Sequence, residues 1–270
     1  MTNNSLSIVL PTINEAENLK VLIPALFETL RPHVAELEVI VVDDGSTDNT
    51  KELLAELSSR YTSVNGIFRR PTEKSLPKSI QVGIDAAKGD LVAWMDADGS
   101  MTAEVLLELL NAWRGSKTPD ESALVASRFV AGGRMKGASK VGPVGFFQAA
   151  KNLRNSEDSF LAVVLSWSLN KFLYLILDKC CRDATSGFIL IPNKLVKKFP
   201  LRGIYGDYFS RLMYDLHCSE KSVIEIPYTV LVRTHGVSKT GTNVREIFNS
   251  GLPYLRLVAE PFSHRRRRGN

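Results

Sequence analysis

The sequence predicts an α/β fold: a mainly parallel sheet with helices on both faces and a C-terminal elaboration. Continuously apolar runs alternate along the first half of the chain with segments whose apolar residues recur at helical spacing. Such runs are typical of strands in βαβ units, because helices cover both faces of a parallel sheet. With 270 residues, 44% of them hydrophobic and 23% charged, the chain can bury the core that this sheet needs.

The first half of the chain predicts its elements in a regular order. Each apolar run is followed by a helical segment, and Ser46 or Asp48 is placed to cap the second helix. Strands are expected at 6–12, 37–44, 64–68, 91–96 and 123–129, and helices at 18–30, 50–61, 75–89 and 103–113.

The second half of the chain departs from this alternation. Residues 132–158 are rich in glycine, lysine and polar residues and indicate a long mobile segment. No repeat or linker divides the chain, so we expect one domain over 1–240 and a C-terminal helix with a basic tail over 241–270. The second half then contains the apolar stretch at 160–177, the segments "TSGFILIP" (185–192) and "SVIEIPYTVLVRT" (222–234), and helical stretches near 206–217 and at 244–259.

The stretch 160–177 is the most apolar of the chain, with 14 apolar residues of 18. A membrane-spanning helix needs about 20 apolar residues, and four polar residues interrupt this run. Three interpretations remain: a spanning helix, a buried core helix, or a helix at the membrane interface. We favour the interface, with Trp167 and Tyr174 at headgroup depth and Lys171 reaching towards water.

The net charge of +5 is unevenly placed, with four consecutive arginines at 265–268. They indicate either a solvated end or attraction to anionic phospholipid headgroups. No basic motif is interleaved with aromatic residues, so we expect no nucleic-acid partner. The three cysteines match neither a disulfide framework nor a zinc spacing, and the N-terminus has no signal-peptide pattern. We therefore expect a cytoplasmic protein, peripherally associated with the membrane.

Acidic and polar clusters follow three of the predicted strands: "PTINE", "DDGS" and "DADG". The carboxyl ends of parallel strands meet at one edge of a sheet, where ligands bind. Neither a P-loop nor a dinucleotide fingerprint is present, so a nucleotide must be held in another way. Asp96 and Asp98, one residue apart, suit Mg²⁺ or Mn²⁺ bridging to substrate phosphates. The alternative is that each acidic turn only caps the helix that follows.

The motifs "LPTINEAENL", "VVDDGSTDNT", "DADG", "TSGF" and "RTHGVSKTG" occur in this order. Together they resemble family 2 glycosyltransferases with the GT-A fold, and they are most similar to the dolichyl-phosphate mannose synthases and related polyprenyl-phosphate glycosyltransferases. The resemblance covers about residues 5–240. Any one motif is weak, but five in order are specific.

The resemblance implies a donor site and a metal site. Asp96 and Asp98 match the metal-binding aspartates, with Ala97 beside the sugar nucleotide and Ser100 as a weaker ligand where glutamine is usual. Arg233 and Lys239 match basic residues that close over the diphosphate. The positions that match the base and ribose site are Pro11, Ile13, Glu15, Val42 and Asp44.

The resemblance also implies an acceptor site and catalytic roles. Arg128 matches an arginine assigned to donor or acceptor phosphate, and Arg154 is a candidate for a second acceptor arginine. Asp98, Arg128 and Arg233 are the predicted catalytic residues. The implied activity is metal-dependent, inverting transfer of a sugar from a nucleoside diphosphate sugar to a polyprenyl or dolichyl phosphate. GDP-mannose is favoured by family proximity, and UDP-sugars remain open.

Three other functions stay open. A family 2 transferase acting on a hydroxyl of a glycan or glycolipid needs a general base, for which Asp183 or Asp207 could serve. A nucleotidyltransferase is disfavoured because its glycine-rich basic loop is missing after the first strand. A non-catalytic sugar-nucleotide-binding subunit is the third, because Ile13 replaces the usual tyrosine and Ser100 the usual glutamine.

Overall fold

The computed structural model describes residues 4–70, 74–134, 160–231 and 254. Within these residues, one sheet of seven strands has helices packed on both faces, which confirms the predicted α/β class. The strands are β1 (Leu6–Thr12), β2 (Leu37–Asp43), β3 (Val64–Phe68), β4 (Leu91–Trp94), β5 (Ser122–Ser127), β6 (Ile189–Pro192) and β7 (Ser222–Pro227). The α-helices are α1 (Ala16–Leu30), α2 (Thr50–Arg60), α3 (Leu76–Ala86), α4 (Ala103–Arg114), α5 (Phe160–Ile176), α6 (Asn193–Val196) and α7 (Asp207–Cys218). Short 3₁₀ helices cover Arg31–His33 and Pro119–Glu121.

The strand order is β3-β2-β1-β4-β6-β5-β7. β1 is parallel to β2 and β4, β2 to β3, and β5 to β7, whereas β6 is antiparallel to both of its neighbours. The sheet is therefore mainly parallel. From β1 the chain first builds outwards through β2 and β3, and then returns to add β4 on the other side of β1. In open α/β sheets such a switch point creates a crevice at the carboxyl ends of the strands.

The core lies in two layers, one on each face of the sheet. Because successive strand residues point to opposite faces, Ile8 and Leu10 of β1 pack in the layer of α1, α2 and α4, and Val9 packs in the layer of α3 and α7. Gly83 allows α3 to approach β1 closely: a Cβ there would lie 2.3 Å from Cγ1 of Val9. Since these layers cover both faces of the sheet, a ligand that contacts the sheet does so at the strand ends and the connecting loops.

Two segments of the second half contain strands over part of their length. In the segment 185–192, β6 begins at Ile189, after a turn at 182–185 and after Gly187, whose φ is +71°. In the segment 222–234, β7 ends at Pro227, and the chain is described only as far as Leu231. The "TSGF" motif therefore precedes β6 and is not part of a strand.

Helix α5 is only partly covered by the rest of the molecule. Leu173 and Leu177, just after the helix end, pack in a small cluster with Ala184, Tyr214 and Tyr254. From residue 165 onwards, where the side chains of α5 are described, the exposed large apolar ones are Leu165, Trp167, Phe172 and Leu175. The interpretation as a fully buried core helix is therefore wrong. None of the helices in the described ranges combines the length and the apolar character that crossing a membrane requires.

Several predicted features lie outside the described residues. They are the segment from 135 to 158, the basic tail at 265–268, and the helix at 244–259 apart from Tyr254, which is helical and buried.

Candidate active site

The loops after β1 and β2 are joined by hydrogen bonds at one edge of the sheet. Asn14 donates its amide to Oγ of Ser46 over 2.7 Å and accepts the Thr47 amide on Oδ1, also over 2.7 Å. The φ of Asn14 is 52°, a left-handed conformation that asparagine tolerates better than most residues. Two of the three predicted acidic loops therefore form one unit.

Part of the acidic sequence at this edge has a capping role. Asp48 accepts the Ala16 amide at the start of α1 over 3.2 Å and the Thr50 amide at the start of α2 over 3.1 Å. Burial by itself raises the pKa of Asp48, but the hydrogen bonds from the Thr50 hydroxyl and from the backbone lower it below the ordinary value. Asp43 accepts the amide and hydroxyl of Ser46. The capping alternative is thus correct for Asp48, whereas Asp43 stabilises the loop before α2.

Asp44, predicted in the donor site, holds two other elements in place. Its Oδ1 accepts from Nη1 of Arg69 over 2.5 Å, and its Oδ2 accepts the amide of Ser75 over 2.7 Å, just before α3. Arg69 also donates to the hydroxyl of Ser79 over 2.6 Å. Sequence reasoning missed Arg69, whose only signal is a basic pair following β3. The network fixes the Asp44 carboxylate at the edge beside Pro11 and Ile13.

The other predicted donor residues differ in accessibility. Pro11 and Ile13 are half-buried at the end of β1, and Glu15 is 9% exposed, with Oε2 accepting from Nδ2 of Asn18 over 2.6 Å. Val42 is fully buried, and its side chain packs in the layer of α3. The parity of β2 explains this, because neighbouring residues point to opposite faces.

The acidic turn after β4 contains the two predicted metal ligands. Asp96 is exposed, whereas Asp98 is 7% exposed and its Oδ1 accepts the Ser100 amide over 2.9 Å. Gly99 has a φ of +79°, which lets the chain turn between them and Ser100. Ala97 is buried in the core layer of α1 and α4. One carboxylate thus faces solvent, and the other is oriented by a backbone amide.

The residues of this turn suit a hard divalent cation. All candidate ligand atoms are oxygens, which Mg²⁺ and Mn²⁺ prefer. In the described part of the chain, no group of three or more histidine, cysteine, aspartate or glutamate residues could hold a metal ion. Asp96, Asp98 and the Ser100 hydroxyl therefore fit an ion that takes its other ligands from water and substrate phosphates, as Mg²⁺ commonly does.

Two buried tyrosines lie near this turn, and sequence reasoning missed both. The hydroxyl of Tyr208 accepts from Nε1 of Trp94 over 3.1 Å, which joins α7 to the end of β4. Burial, and after it the charge of Asp96, raises the pKa of Tyr208 far above its ordinary value. Burial likewise raises the pKa of Tyr228, against the opposing effect of Arg128. Both phenols therefore stay protonated at neutral pH.

Arg128 forms a buried ion pair that its predicted role did not anticipate. Its Nε donates to Oδ2 of Asp183 over 2.8 Å, and its Nη2 donates to Oδ1 over 2.6 Å. The same Nη2 donates to the Thr185 hydroxyl over 2.8 Å. Burial alone would lower the pKa of Arg128, but the attraction of Asp183 raises it above its ordinary value. Most of the guanidinium is therefore engaged inside the protein.

The two proposed general bases are committed to structural contacts. Asp183 is fully buried and, besides the Arg128 side chain, accepts that residue's amide over 2.8 Å. Asp207 is 1% exposed and accepts from the amides of Ile204 and Tyr205 and from Nε of Arg211. A general base must reach the proton of its acceptor, and in this structure both carboxylates are instead bound by residues of the protein.

The segment after β7 also contacts the turn that carries Asp96 and Asp98. The amide of Leu231 donates to the carbonyl oxygen of Ser100 over 3.1 Å. Arg233 is the second residue after Leu231 in the sequence. Arg154, Arg233 and Lys239 lie outside the described residues.

Comparison with known proteins relates this geometry to a family. The family model "Glycosyl transferase family 2" matches residues 7–172. Dolichol-phosphate mannosyltransferase of Pyrococcus furiosus is 30% identical over 244 residues, which are 86% of this chain but only 58% of that longer protein. Polyprenol monophosphomannose synthase of Mycolicibacterium smegmatis is 27% identical over 246 residues, 88% of this chain and 82% of that one.

A solved structure of similar fold is glucosyl-3-phosphoglycerate synthase from Mycobacterium tuberculosis, in complex with Mn²⁺, UDP and phosphoglyceric acid. The TM-score is 0.63 at 15% identity, covering 95% of this chain and 78% of that one. At this identity the likeness establishes the GT-A fold alone. Together with the family match over most of the first two thirds of the sequence, it identifies the chain as a member of glycosyltransferase family 2, related to the polyprenyl-phosphate mannose synthases.

Proposed function

We propose that the chain transfers a hexose, with mannose favoured, from a nucleoside diphosphate sugar to a polyprenyl or dolichyl phosphate. The names of the two relatives, a dolichol-phosphate mannosyltransferase and a polyprenol monophosphomannose synthase, support this acceptor and this sugar. The donor in this proposal is GDP-mannose.

The observation that carries the proposal is the position of Asp96 and Asp98. They follow β4 at the carboxyl edge of the sheet. Since β1 is the parallel neighbour of β4, the loop after β1 begins at the same edge. This is the switch point of the sheet, at which open α/β folds bind their ligands. The sequence matches the donor motif on one side of the crevice and the metal motif on the other.

In this proposal Asp96 and Asp98 hold Mg²⁺ or Mn²⁺, with the Ser100 hydroxyl as a weaker ligand. When bound, the dication stabilises the negative charge that develops on the leaving diphosphate. The Ser100 amide holds the Asp98 carboxylate in one orientation, so little reorganisation is needed on binding. The Mn²⁺ in the structure of similar fold supports this assignment.

The proposed base and ribose site consists of Pro11, Ile13, Glu15 and Asp44. The apolar side chain of Ile13 offers packing in place of ring stacking. Arg69 and the start of α3 fix the Asp44 carboxylate, which suits an acceptor of hydrogen bonds from a nucleobase. Arg233 and Lys239 would close over the diphosphate. The hydrogen bond between Leu231 and Ser100 supports this, because it places Leu231 beside the turn that carries Asp96 and Asp98.

The proposed transfer is a single displacement. An oxygen of the acceptor phosphate bonds to C1 of the sugar as the bond from C1 to the diphosphate oxygen breaks, and the electron pair leaves with the diphosphate. One displacement inverts the anomeric centre. A phosphate monoester is already an anion at neutral pH, so the step needs positioning and not a base. The engagement of Asp183 and Asp207 in other contacts supports this over a hydroxyl acceptor.

Arg128 keeps a place in the proposed acceptor site through one nitrogen. Its Nη1 forms no hydrogen bond with any residue in the described ranges, whereas Nε and Nη2 are bound by Asp183 and Thr185. The ion pair holds the guanidinium in place, and Nη1 can donate to a phosphate. Arg154 is proposed as a second contact.

We also propose that α5 lies at the cytoplasmic surface of a membrane, where a polyprenyl phosphate is found. Trp167 is 54% exposed and Leu175 is 59% exposed, on a helix whose other side is packed. Exposed tryptophan and leucine on such a helix favour the boundary between headgroups and acyl chains. The arginines at 265–268 would add attraction to anionic lipids.

The decisive experiment is a panel of nucleotide sugars, each incubated with the chain, a short polyprenyl phosphate and Mg²⁺ or Mn²⁺. We expect GDP-mannose to yield a mannosyl phosphoprenol, detected by mass spectrometry, with the anomeric configuration inverted by NMR. Addition of EDTA should stop the reaction. Transfer only to a hydroxyl of a glycan, or binding of nucleotide sugar with neither transfer nor hydrolysis, contradicts the proposal.

A further inference from the structure

A cavity beside α5 shares no lining residue with the turn that carries Asp96 and Asp98. Its volume is about 270 Å³. A nucleotide sugar needs more space, since pockets for drug-sized ligands measure roughly 300 to 1,000 Å³. The volume suits a headgroup. The lining residues are Phe129, Trp167, Asn170, Lys171, Tyr174 and Arg182.

Two cations line this cavity, and none of its lining residues is a carboxylate; Glu225 accepts the backbone amide of Arg182 over 2.8 Å. Lys171 and Arg182 are both exposed, and neither side chain forms a hydrogen bond or an ion pair with another residue in the described parts of the chain. Arg128, just before the lining residue Phe129 in the chain, is neutralised by Asp183. The positive charge available for an anion on this side of the site therefore belongs to Lys171 and Arg182.

Asn170, which lines the same cavity, has a buried amide oxygen. It is 2% exposed, and its Nδ2 donates to the Ser166 carbonyl over 3.0 Å and to the Thr185 hydroxyl over 2.7 Å. Its Oδ1 has no partner among the described residues. Exchanging the two amide atoms would place Oδ1 against the carbonyl oxygen of Ser166, so the oxygen is the atom left without a donor. A ligand here should carry an O–H group as well as negative charge.

The cavity is connected to the proposed acceptor site by one side chain. The Thr185 hydroxyl accepts from Nδ2 of Asn170 and from Nη2 of Arg128. Phe129, which lines the cavity, follows Arg128 in the chain, and the guanidinium carbon of Arg128 lies 5.2 Å from the centre of its ring. A group bound in the cavity therefore lies beside Arg128.

We propose that this cavity binds the phosphate headgroup of the acceptor, with Lys171 and Arg182 pairing with its charge and Asn170 accepting from its protonated oxygen. The inference rests on the proposed function, because it requires a phosphate acceptor. A singly protonated phosphate monoester supplies both the charge and the O–H group. Trp167, at the rim, leads to the exposed apolar side chains of α5, along which a prenyl chain can pass.

The test is the KM for a short, water-soluble prenyl phosphate, measured without lipid or detergent. Lys171→Met and Arg182→Met should each raise this KM roughly tenfold or more, as loss of a charged hydrogen bond does. The KM for the nucleotide sugar and the kcat at saturating acceptor should stay unchanged. Lys171→Arg should keep most of the affinity, and Lys51→Met, which removes an exposed charge on α2, should have no effect.

Each contrary outcome has a distinct meaning. If the wild-type chain transfers sugar but both methionine variants keep its acceptor KM, the cavity does not bind the acceptor. If they keep that KM and lose binding to anionic vesicles, the cavity binds a phospholipid headgroup, and the proposal is equally wrong. If the wild-type chain makes no product, the proposed function fails. Binding of the prenyl phosphate itself, followed by ³¹P NMR, then decides: equal binding by wild type and the double methionine variant overturns the inference.

Discussion

Two regions of the molecule differ in how their polar groups are held: the proposed donor edge, formed by the loops after β1 and β2, and the α5 flank, formed by α5 and the cavity beside it. At the donor edge, Asn14, Ser46 and Asp48 tie the loops after β1 and β2 together, and Asp44 is held by Arg69 and the start of α3. On the α5 flank, apolar side chains are exposed and the cations of the cavity have no partner among the described residues. A site that stabilises developing charge needs fixed groups, whereas a site for a lipid must leave its ligand an open approach.

The buried pair of Arg128 and Asp183 lies between these two regions. It takes an arginine from the end of β5 and an aspartate from the turn before β6, 55 residues apart. The strands beside the pair, β5 and β6, belong to the same sheet as β1 and β4. The Thr185 hydroxyl links Arg128 to Asn170, which lines the α5 cavity. We infer that it supports both regions, which makes it the first place to test.

Asp183→Ala should have the largest effect. It leaves the buried charge of Arg128 uncompensated, and breaking such a pair costs about 3–5 kcal/mol. The measurement is the free energy of unfolding in urea. Asp215→Ala is the matched control, because its partner Arg202 is 56% exposed and an exposed pair contributes about 0–1 kcal/mol. Equal losses in the two variants would mean that Arg128 does not depend on its partner.

Asp98→Asn should separate chemistry from stability. The variant keeps the shape of the turn but weakens the proposed metal site, so we expect sugar transfer to fall about 10²–10³-fold. The thermal midpoint should change little, since the carboxamide oxygen of the substituted side chain can still accept the Ser100 amide. Asp85→Asn, at an exposed position on α3, is the control. Full activity of the Asp98 variant would remove the metal site from the proposal.

Trp167→Ser and Leu175→Ser should weaken membrane binding without weakening the fold. Burying either side chain contributes roughly 1.5–3 kcal/mol, so partial insertion predicts a vesicle affinity about tenfold lower for each variant. Val21→Ser is the control, because Val21 is 59% exposed on α1, away from α5. Flotation with liposomes measures the effect. If all three variants float like the wild type, α5 does not face the membrane.

Asp48→Asn should have the smallest effect and a defined pH dependence. Hydrogen bonds lower the pKa of Asp48 in the folded state, so its ionised form stabilises the fold above its unfolded pKa. This stability is lost as the pH falls through the folded pKa, below about pH 4. Because asparagine caps a helix about as well as aspartate, the variant should lose only the contribution of the charge at pH 7, about 0.3–1 kcal/mol, and converge on the wild type in acid. A constant difference from pH 7 to pH 3 would exclude this role.

The sequence predicted the elements of the first half because their signals are local. Apolar runs and helical spacing located β1 to β5 and α1 to α4 within a few residues, and the "DADG" motif placed Asp96 and Asp98 at the end of β4. The sequence did not indicate which face of the sheet each side chain lies on. Val42 packs in the layer of α3, because a shift of one residue along a strand moves a side chain to the opposite face.

Pairings between distant residues could not be predicted in this way. Nothing in the sequence indicates that Asp183 neutralises Arg128, or that the Asp44 carboxylate is bound by Arg69. The same aspartate that looks available as a base in the sequence is fully buried in the structure. Partner choice depends on which loops the sheet order brings together, and that order is a property of the whole chain.

The sequence by itself determined the class of fold, the family and the pair of carboxylates at the end of β4, because periodicity and short motifs are properties of neighbouring residues. Only the tertiary structure decided which charged side chains are paired inside the protein and which are exposed. It brings α5, the end of β5 and the turn before β6 to one cavity, whose lining residues include Lys171 and Arg182 but no carboxylate. The physical reason is that burial and pairing depend on contacts across long sequence separations, which no local pattern records.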